Sequence, residues 1–309
     1  MKIVFMGTPE FGVPILEALI EKYDVCLVVT QPDKEVGRNK EIRFSKIKEC
    51  ALKHNIEVFQ PEKIRKEYQK VLDVNPDIVI TCAFGQMIPD IILEYPKYGA
   101  INVHASLLPK FRGGSPIHKS ITSGEKETGI TIMYMVKKMD AGDIITQRSI
   151  PILDSDNLGT IHDKLQIVGK ELLMDTLPLI FTGNINPIKQ DEEKVTFAYN
   201  ITREEEKINF NQFSRSIFNH VRGFNPYPVA YGKLDNADIK MFKVSLTKET
   251  STLEPGTISK IVSGKPYVAT LDYDIILEEI QYPGKKRMLI KDFMNGMGKK
   301  VFEEGKKFE

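Results

Sequence analysis

The stretch Met1-Lys2-Ile3-Val4-Phe5-Met6-Gly7-Thr8-Pro9 decides the fold. Lys2 to Met6 is a short apolar run ending at a glycine, the pattern of a strand buried on both faces of a parallel sheet. Gly7 turns the chain, Thr8 is suited to cap the next helix, and Pro9 suits its first position. Leu16, Leu19 and Ile20 give that helix an apolar face, and Val25 to Val29 reads as the following strand. Strand, helix and strand in this order form a βαβ unit, which predicts a doubly wound, Rossmann-like, mostly parallel α/β sheet. The glycines do not follow G-x-G-x-x-G, and no Lys-Ser or Lys-Thr follows Gly12, so neither a dinucleotide fingerprint nor a P-loop is present.

The same grammar continues outward. Lys46 to His54 reads as a helix, Val58-Phe59 as a short strand, and the region from Arg65 to Leu72 as a polar helix. Asp77 to Thr81 is another buried strand. It runs into Cys82-Ala83-Phe84-Gly85-Gln86-Met87-Ile88-Pro89, where small residues let a flat ligand approach the backbone. After a helix near Asp90 to Glu94, Gly99-Ala100-Ile101 leads into Asn102-Val103-His104 and then a loop ending at Gly113-Gly114. Residues two apart on a strand share a face, so the amide of Asn102 and the imidazole of His104 project side by side. Open α/β sheets bind ligands at the carboxyl ends of their strands, where this pair falls. Ser115 to Ser123 reads as a helix. Thr128 to Met135 and Ile144 to Ile152 read as strands bracketing the acidic loop Met139-Asp140-Ala141-Gly142-Asp143. A long amphipathic helix follows from Leu158 to Phe181, closed by Gly183.

At 309 residues with 41% hydrophobic composition, two domains are expected. We place a catalytic domain at 1–186, a polar linker at 187–204 and a second domain at 205–309. The second domain opens with a helix near Asn211 to Val221. Short β-rich segments follow (Val229 to Tyr231, Ile239 to Phe242, Gly256 to Ile258, Tyr267 to Thr270, Ile275 to Leu277), a spacing that predicts an OB-like β-barrel. A net charge of +1 gives no global signal for nucleic acid or membrane. Basic residues are concentrated locally, at Lys34, Arg38, Lys40 and Arg43 in the long polar stretch Gln31 to Ser45, and at Lys285-Lys286-Arg287. On charge alone, the stretch reads as a solvated loop. Three scattered cysteines argue against a disulfide framework, and none is paired with Cys or His at zinc spacing. The first residues are too short for a secretory leader, and no apolar run approaches a membrane span, so a cytoplasmic protein is expected.

His104 is suited to carry a proton near neutral pH, and Asn102 can stabilise an oxyanion without titrating. Asp140 or Asp143 can orient His104 and support its charge. The set lacks a nucleophile, which points to transfer onto an incoming nucleophile rather than covalent catalysis. The plainer alternative is a satisfied Asn–His pair at a strand end. A metal site is thinly supplied with ligands.

The run Asn102-Val103-His104-Ala105-Ser106-Leu107-Leu108-Pro109 with Arg112-Gly113 resembles the signature of the formyltetrahydrofolate-dependent transformylases. Phe5 to Phe11, Thr30-Gln31-Pro32-Asp33 with Gly37-Arg38, and Phe224-Asn225-Pro226-Tyr227-Pro228 resemble the members that act on tRNA. The resemblance implies that Asn102, His104 and Asp140 catalyse formyl transfer from 10-formyltetrahydrofolate, without a metal, to the α-amino group of initiator methionyl-tRNA. It implies that Ser106, Leu107, Leu108 and Pro109 lie against the folate and that the loop with Phe84, Gly85, Met87 and Ile88 holds the pterin. It implies that the basic stretch around Arg38 reaches the tRNA acceptor end and that the second domain contacts the tRNA; Lys34, Lys40, Arg43, Lys285, Lys286 and Arg287 are expected as further contacts on charge, and a monomer is expected. In the expected chemistry Asn102 and protonated His104 stabilise the oxyanion while Asp140 helps remove the amine proton. Competing readings are a transformylase for a nucleotide or amino sugar, and a non-enzymatic RNA-binding protein.

Overall fold

The computed structural model describes residues 1–36 and 41–309. It divides into two compact units. The first comprises Met1–Pro116, Glu127–Pro151 and His162–Tyr199, and the second Ile117–Lys126, Ile152–Ile161 and Asn200–Glu309. The elements up to residue 182 are, in chain order, β1 (Lys2–Gly7), α1 (Val13–Lys22), β2 (Asp24–Val29), β3 (Lys34–Val36), β4 (Glu41–Arg43), α2 (Lys46–Lys53), β5 (Val58–Phe59), α3 (Gln69–Asp73), β6 (Ile78–Cys82), α4 (Asp90–Glu94), β7 (Ala100–His104), α5 (Pro116–Thr122), β8 (Glu127–Tyr134), β9 (Ile144–Pro151) and α6 (Leu158–Thr182).

The first unit is built on a seven-stranded sheet in the order β5-β2-β1-β6-β7-β8-β9. The strands from β5 to β7 in that order are parallel, β8 pairs antiparallel with β7, and β9 pairs antiparallel with β8. Ile3, Val4, Phe5 and Met6 of β1 are fully buried. At about 1.5–3 kcal/mol per buried side chain, this central strand anchors the sheet. Val4 and Met6 join Leu27, Val29, Val79 and Ala100 in a core that also takes Ile64, Phe84 and Ile92. Elsewhere in the unit, Gly169 of α6 meets Ile15 of α1, Val103 and Ile130. The strand order reverses between β1 and β6, the position where doubly wound sheets open a ligand crevice. The registers Gly7↔Cys82 and Thr81↔Asn102 align the carboxyl ends of β1, β6 and β7 at that place.

The structure differs from expectation at three points in this unit. Thr8 does not cap α1. Pro9 precedes a 3-10 turn at Glu10–Gly12, α1 starts at Val13, and the Thr8 hydroxyl donates to the Phe84 carbonyl (3.1 Å). The polar helix after residue 64 is confined to α3 at Gln69–Asp73. The stretch 31–45 is not merely a loop: β3 and β4 pair antiparallel, with Lys34 opposite Arg43. Strands only three residues long are too short to show a period in the sequence. The base of this excursion is tied by Thr30 to Ser45 (2.9 Å) and by Lys48 to Asp33 (2.5 Å), and Ser45 caps α2.

The second unit carries α7 (Arg203–Glu206), α8 (Ser214–Gly223), β10 (Tyr231–Leu234), β11 (Ala237–Leu246), β12 (Ile258–Val262), β13 (Lys265–Val268), β14 (Ile275–Gln281), β15 (Met288–Leu289) and α9 (Ile290–Met294). The strands form an antiparallel, curled, OB-like sheet in the order β10-β11-β14-β13-β12, with β15 on β14. Ile217, Val221 and Phe224 join Met241, Leu277, Phe302 and Phe308 in its core. The expected helix start at Asn211 moves to Ser214, whose amide is held by Asp272 (2.7 Å). Among the described residues, no helix is long and apolar enough to cross a membrane.

Candidate active site

Parallel pairing of β6 and β7 sets Thr81 beside Asn102, and the Thr81 hydroxyl donates to Asn102 Oδ1 (2.7 Å). That bond fixes which way the amide points. Its Nδ2 faces Asp140 Oδ1 at 3.5 Å, a contact loose enough to release to a better acceptor. His104, only 5% exposed, has its Nε2 3.0 Å from the Phe111 carbonyl. A carbonyl can only accept, so Nε2 carries the hydrogen and Nδ1 is the nitrogen left to exchange a proton. Nδ1 lies 3.7 Å from Asp140 Oδ2. The same Oδ2 accepts from the Gly113 amide (2.9 Å). Of the two aspartates left open by the sequence, Asp140 therefore faces the imidazole. Asp143 gives its carbonyl to the Tyr134 amide (3.0 Å).

Backbone geometry around these groups is demanding. Asp140 has φ +48 and Phe111 φ +62, both in the left-handed region that non-glycine residues seldom adopt. Gly113 has φ +125, and a Cβ there would meet the Ala198 carbonyl at 2.6 Å. A Cβ on Gly142 would lie 1.8 Å from the Tyr134 carbonyl.

The residues expected along the folate divide into inward and outward groups. The Phe84 ring is buried in the core (4% exposed), and its carbonyl is taken by Thr8 and Gln31. Ser106 is fully buried and donates to the Lys110 carbonyl (2.7 Å), and Leu108 is buried as well. Leu107, Pro109 and Ile88 are half-buried, while Gly85 and Met87 are exposed. Of the basic residues, Lys34 and Arg43 stand exposed and opposite one another on β3 and β4, and Arg38 and Lys40 lie outside the described residues. Lys285 and Lys286 are exposed. Arg287 is engaged in a two-pronged pair with Glu279 (2.7 Å for each bond) and lies over the Phe242 ring.

Residues 1–177 match the family model described as formyl transferase, and residues 200–298 match the formyl transferase C-terminal domain. The chain belongs to the formyl transferase family. It is 52% identical over 309 residues to the methionyl-tRNA formyltransferase of Enterococcus faecalis, covering 99% of both chains. It is 47% identical over 308 residues to that of Staphylococcus aureus, covering 97% of this chain and 99% of the other. Among solved structures, the N-formyltransferase from Helicobacter canadensis in complex with folinic acid and dTDP-3-aminofucose superposes with a TM-score of 0.70 at 20% identity, over 91% of this chain and 99% of that one. The sugar 3N-formyl transferase WlaRD gives a TM-score of 0.68 at 22% identity, over 93% and 99%. At these identities the structural likeness concerns the fold.

In this formyl transferase the site offers an amide donor, a ring nitrogen free to take a proton and a carboxylate to balance the charge. Gly85 (φ +83) and Met87 are exposed, and Ile88, Leu107 and Pro109 are half-buried, so apolar groups remain accessible on both loops. Sequence reading missed Thr81, whose signal is a hydroxyl in an otherwise apolar strand. It also missed Gln147, which donates to the Leu108 carbonyl (2.9 Å) and Thr131 (2.8 Å). The residues 188–198, read as linker, run against the site. Ile188 pairs with Ile144 through two backbone bonds (2.8 and 2.9 Å), and Phe197 bridges to Arg112. Cys50 and His54, one helical turn apart, lie beside Glu17, with their ligand atoms within 4.8 Å of one another. Burial, reinforced by Glu17, pushes the Cys50 thiol up to about 11 and keeps it protonated.

Proposed function

We propose that this formyl transferase moves the formyl group of 10-formyltetrahydrofolate onto the α-amino group of methionyl-tRNA. The observation that carries this reading is identity of about half the residues, over nearly the full length of both chains, to methionyl-tRNA formyltransferases. Initiator tRNA is the acceptor and the protein works as a monomer. An α-amino group titrates near pH 8, so a usable fraction is neutral and nucleophilic at pH 7.

Asn102, His104 and Asp140 perform the transfer. Asn102 Nδ2, oriented by Thr81, donates to the oxyanion that develops on the formyl oxygen as the amine adds. His104 Nδ1 takes the proton that the amine loses, and Asp140 balances the charge the ring then carries. His104 returns the proton to the departing nitrogen of tetrahydrofolate, which restores the site. This differs from the sequence-based scheme, in which protonated His104 also stabilises the oxyanion; with Nε2 held by the Phe111 carbonyl, Nδ1 is the ring atom that faces Asp140. Leu107, Pro109, Gly85, Met87 and Ile88 line the folate side. Lys34 and Arg43 contact phosphates, joined by Arg38 and Lys40. Two cations directly opposite on a ribbon repel one another, and an approaching phosphate relieves that repulsion.

The test is transfer of label from 10-formyltetrahydrofolate to charged initiator tRNA, run against a dTDP-linked amino sugar. Formyl-methionine recovered from tRNA with no product on the sugar supports the reading. Product on the sugar alone overturns it.

A further inference from the structure

We infer that Gln190 is the positioning residue of the Asp140 loop, held in place by Arg112 and Glu192. This rests on the reading of Asp140 as part of the reacting site. The Gln190 side chain is fully engaged. Its Nε2 donates to the carbonyls of both Asp140 and Gly142 (2.8 Å each), and its Oε1 accepts from Arg112 Nε (3.0 Å). Arg112 is fully buried and donates through Nη2 to Glu192 (2.8 Å), whose other oxygen accepts from Lys138 (2.6 Å). The loop from 138 to 142 is thus gripped at three points by two side chains only two residues apart.

The grip acts on the carboxylate from both directions. Asp140 is held at φ +48, a conformation it would leave readily if its carbonyl were free. Its Oδ2 is held by the amide of Gly113, the residue after Arg112. Arg112 is itself fixed by backbone bonds to Thr196 (2.9 Å) and Ala198 (2.8 Å). One strap, residues 188–198, therefore sets both the Asp140 backbone and the donor that orients its carboxylate toward His104. Among the described residues, buried Arg112 Nη1 has no hydrogen-bond partner. Its other nitrogens serve Gln190 and Glu192, which marks it as a support for the strap rather than a ligand group.

The experiment compares Gln190→Ala and the milder Glu192→Gln with the parent protein, alone and in an Asp140→Ala background. Misplacing a catalytic group by an ångström costs on the order of 10²-fold in rate. Gln190→Ala should therefore lower kcat roughly 10- to 100-fold, and Glu192→Gln a few-fold, with KM for both substrates held within about twofold. Once Asp140 is already alanine, Gln190→Ala should cost nothing more, because its effect passes through that carboxylate. Backbone amide exchange at 138–143 and Gly113 should speed up in Gln190→Ala while the β1 and β6 amides hold. An equal loss in both backgrounds, or an unchanged kcat, overturns the inference. If the parent protein transfers no formyl group to methionyl-tRNA, the functional reading falls and the exchange measurement decides alone: unchanged exchange at 138–143 overturns the strap.

Discussion

The polar groups at the end of β7 and the charges on the β3–β4 ribbon belong to the same unit and are held in opposite ways. Asn102, His104 and Asp140 sit in a half-buried to buried setting where nearly every polar atom has an assigned partner. Lys34 and Arg43 are exposed, carry like charge and face one another across a two-stranded ribbon. Acyl transfer requires donors already aimed at the place where charge will develop, because reorientation during the reaction would add to the barrier. Attraction for a polyanion requires only that positive charge be present and poorly neutralised, since counterion release supplies the free energy. The first region should therefore tolerate almost no substitution, and the second should lose affinity in small, salt-dependent steps.

Alanine at Asn102, His104 or Asp140 should show the largest effect. Each is expected to lower kcat roughly 10²- to 10⁴-fold with both substrates saturating. Rates near those of the parent protein for any one would remove that residue from the reacting set. Thr81→Val, which frees the Asn102 amide to turn over, should cost about tenfold in kcat, and Thr81→Ser should recover most of it. Steady-state kinetics on the pair separates loss of the hydroxyl from loss of volume.

On the ribbon, Lys34→Ala and Arg43→Ala should each raise KM for tRNA a few-fold and leave kcat and folate binding unchanged. Removing one cation that neutralises a phosphate should make the slope of log affinity against log salt shallower by about 0.7–0.9. An equal loss of folate binding would show that the ribbon supports the fold instead. The effect that is absent at neutral pH concerns Cys82, which follows Thr81 at the end of β6. Burial pushes its thiol up to about 12, against an ordinary value of 9.0. The folded state thus keeps a proton that the unfolded chain releases above pH 9.0. Stability should fall by about 1.4 kcal/mol per pH unit from there up to the folded value, and the effect should vanish at pH 7. Chemical denaturation of the parent protein and Cys82→Ala across that range measures the difference. Equal slopes would mean that water reaches the strand end.

The parallel sheet and the Asn102–His104 pair were legible because both depend on local periodicity. Continuous apolar runs mark buried strands, and a spacing of two puts side chains on one face. Choosing Asp140 over Asp143 needed either the family resemblance or the structure, since the acidic loop has no regular period. Thr81 escaped because its role comes from lateral register between strands about 20 residues apart, which nothing local encodes. Phe84 lies on the expected loop with its ring in the core, which the sequence does not show because burial of a single loop side chain depends on what packs above it. The linker reading for 187–204 followed from weak periodicity. A segment that binds through backbone bonds and two polar side chains has no periodicity to offer.

The amino-acid sequence by itself therefore determined the α/β class and the strand-end placement of the Asn102–His104 pair, through the spacing of apolar and polar residues along single elements. Only the tertiary structure decided how those groups face one another: the amide turned by Thr81, the ring held through Nε2, the carboxylate held by Gly113, and the strap from 188 to 198 lying against its loop. These are contacts between segments far apart in sequence. Their geometry is set by sheet register and close packing, which emerge only when the whole unit has folded.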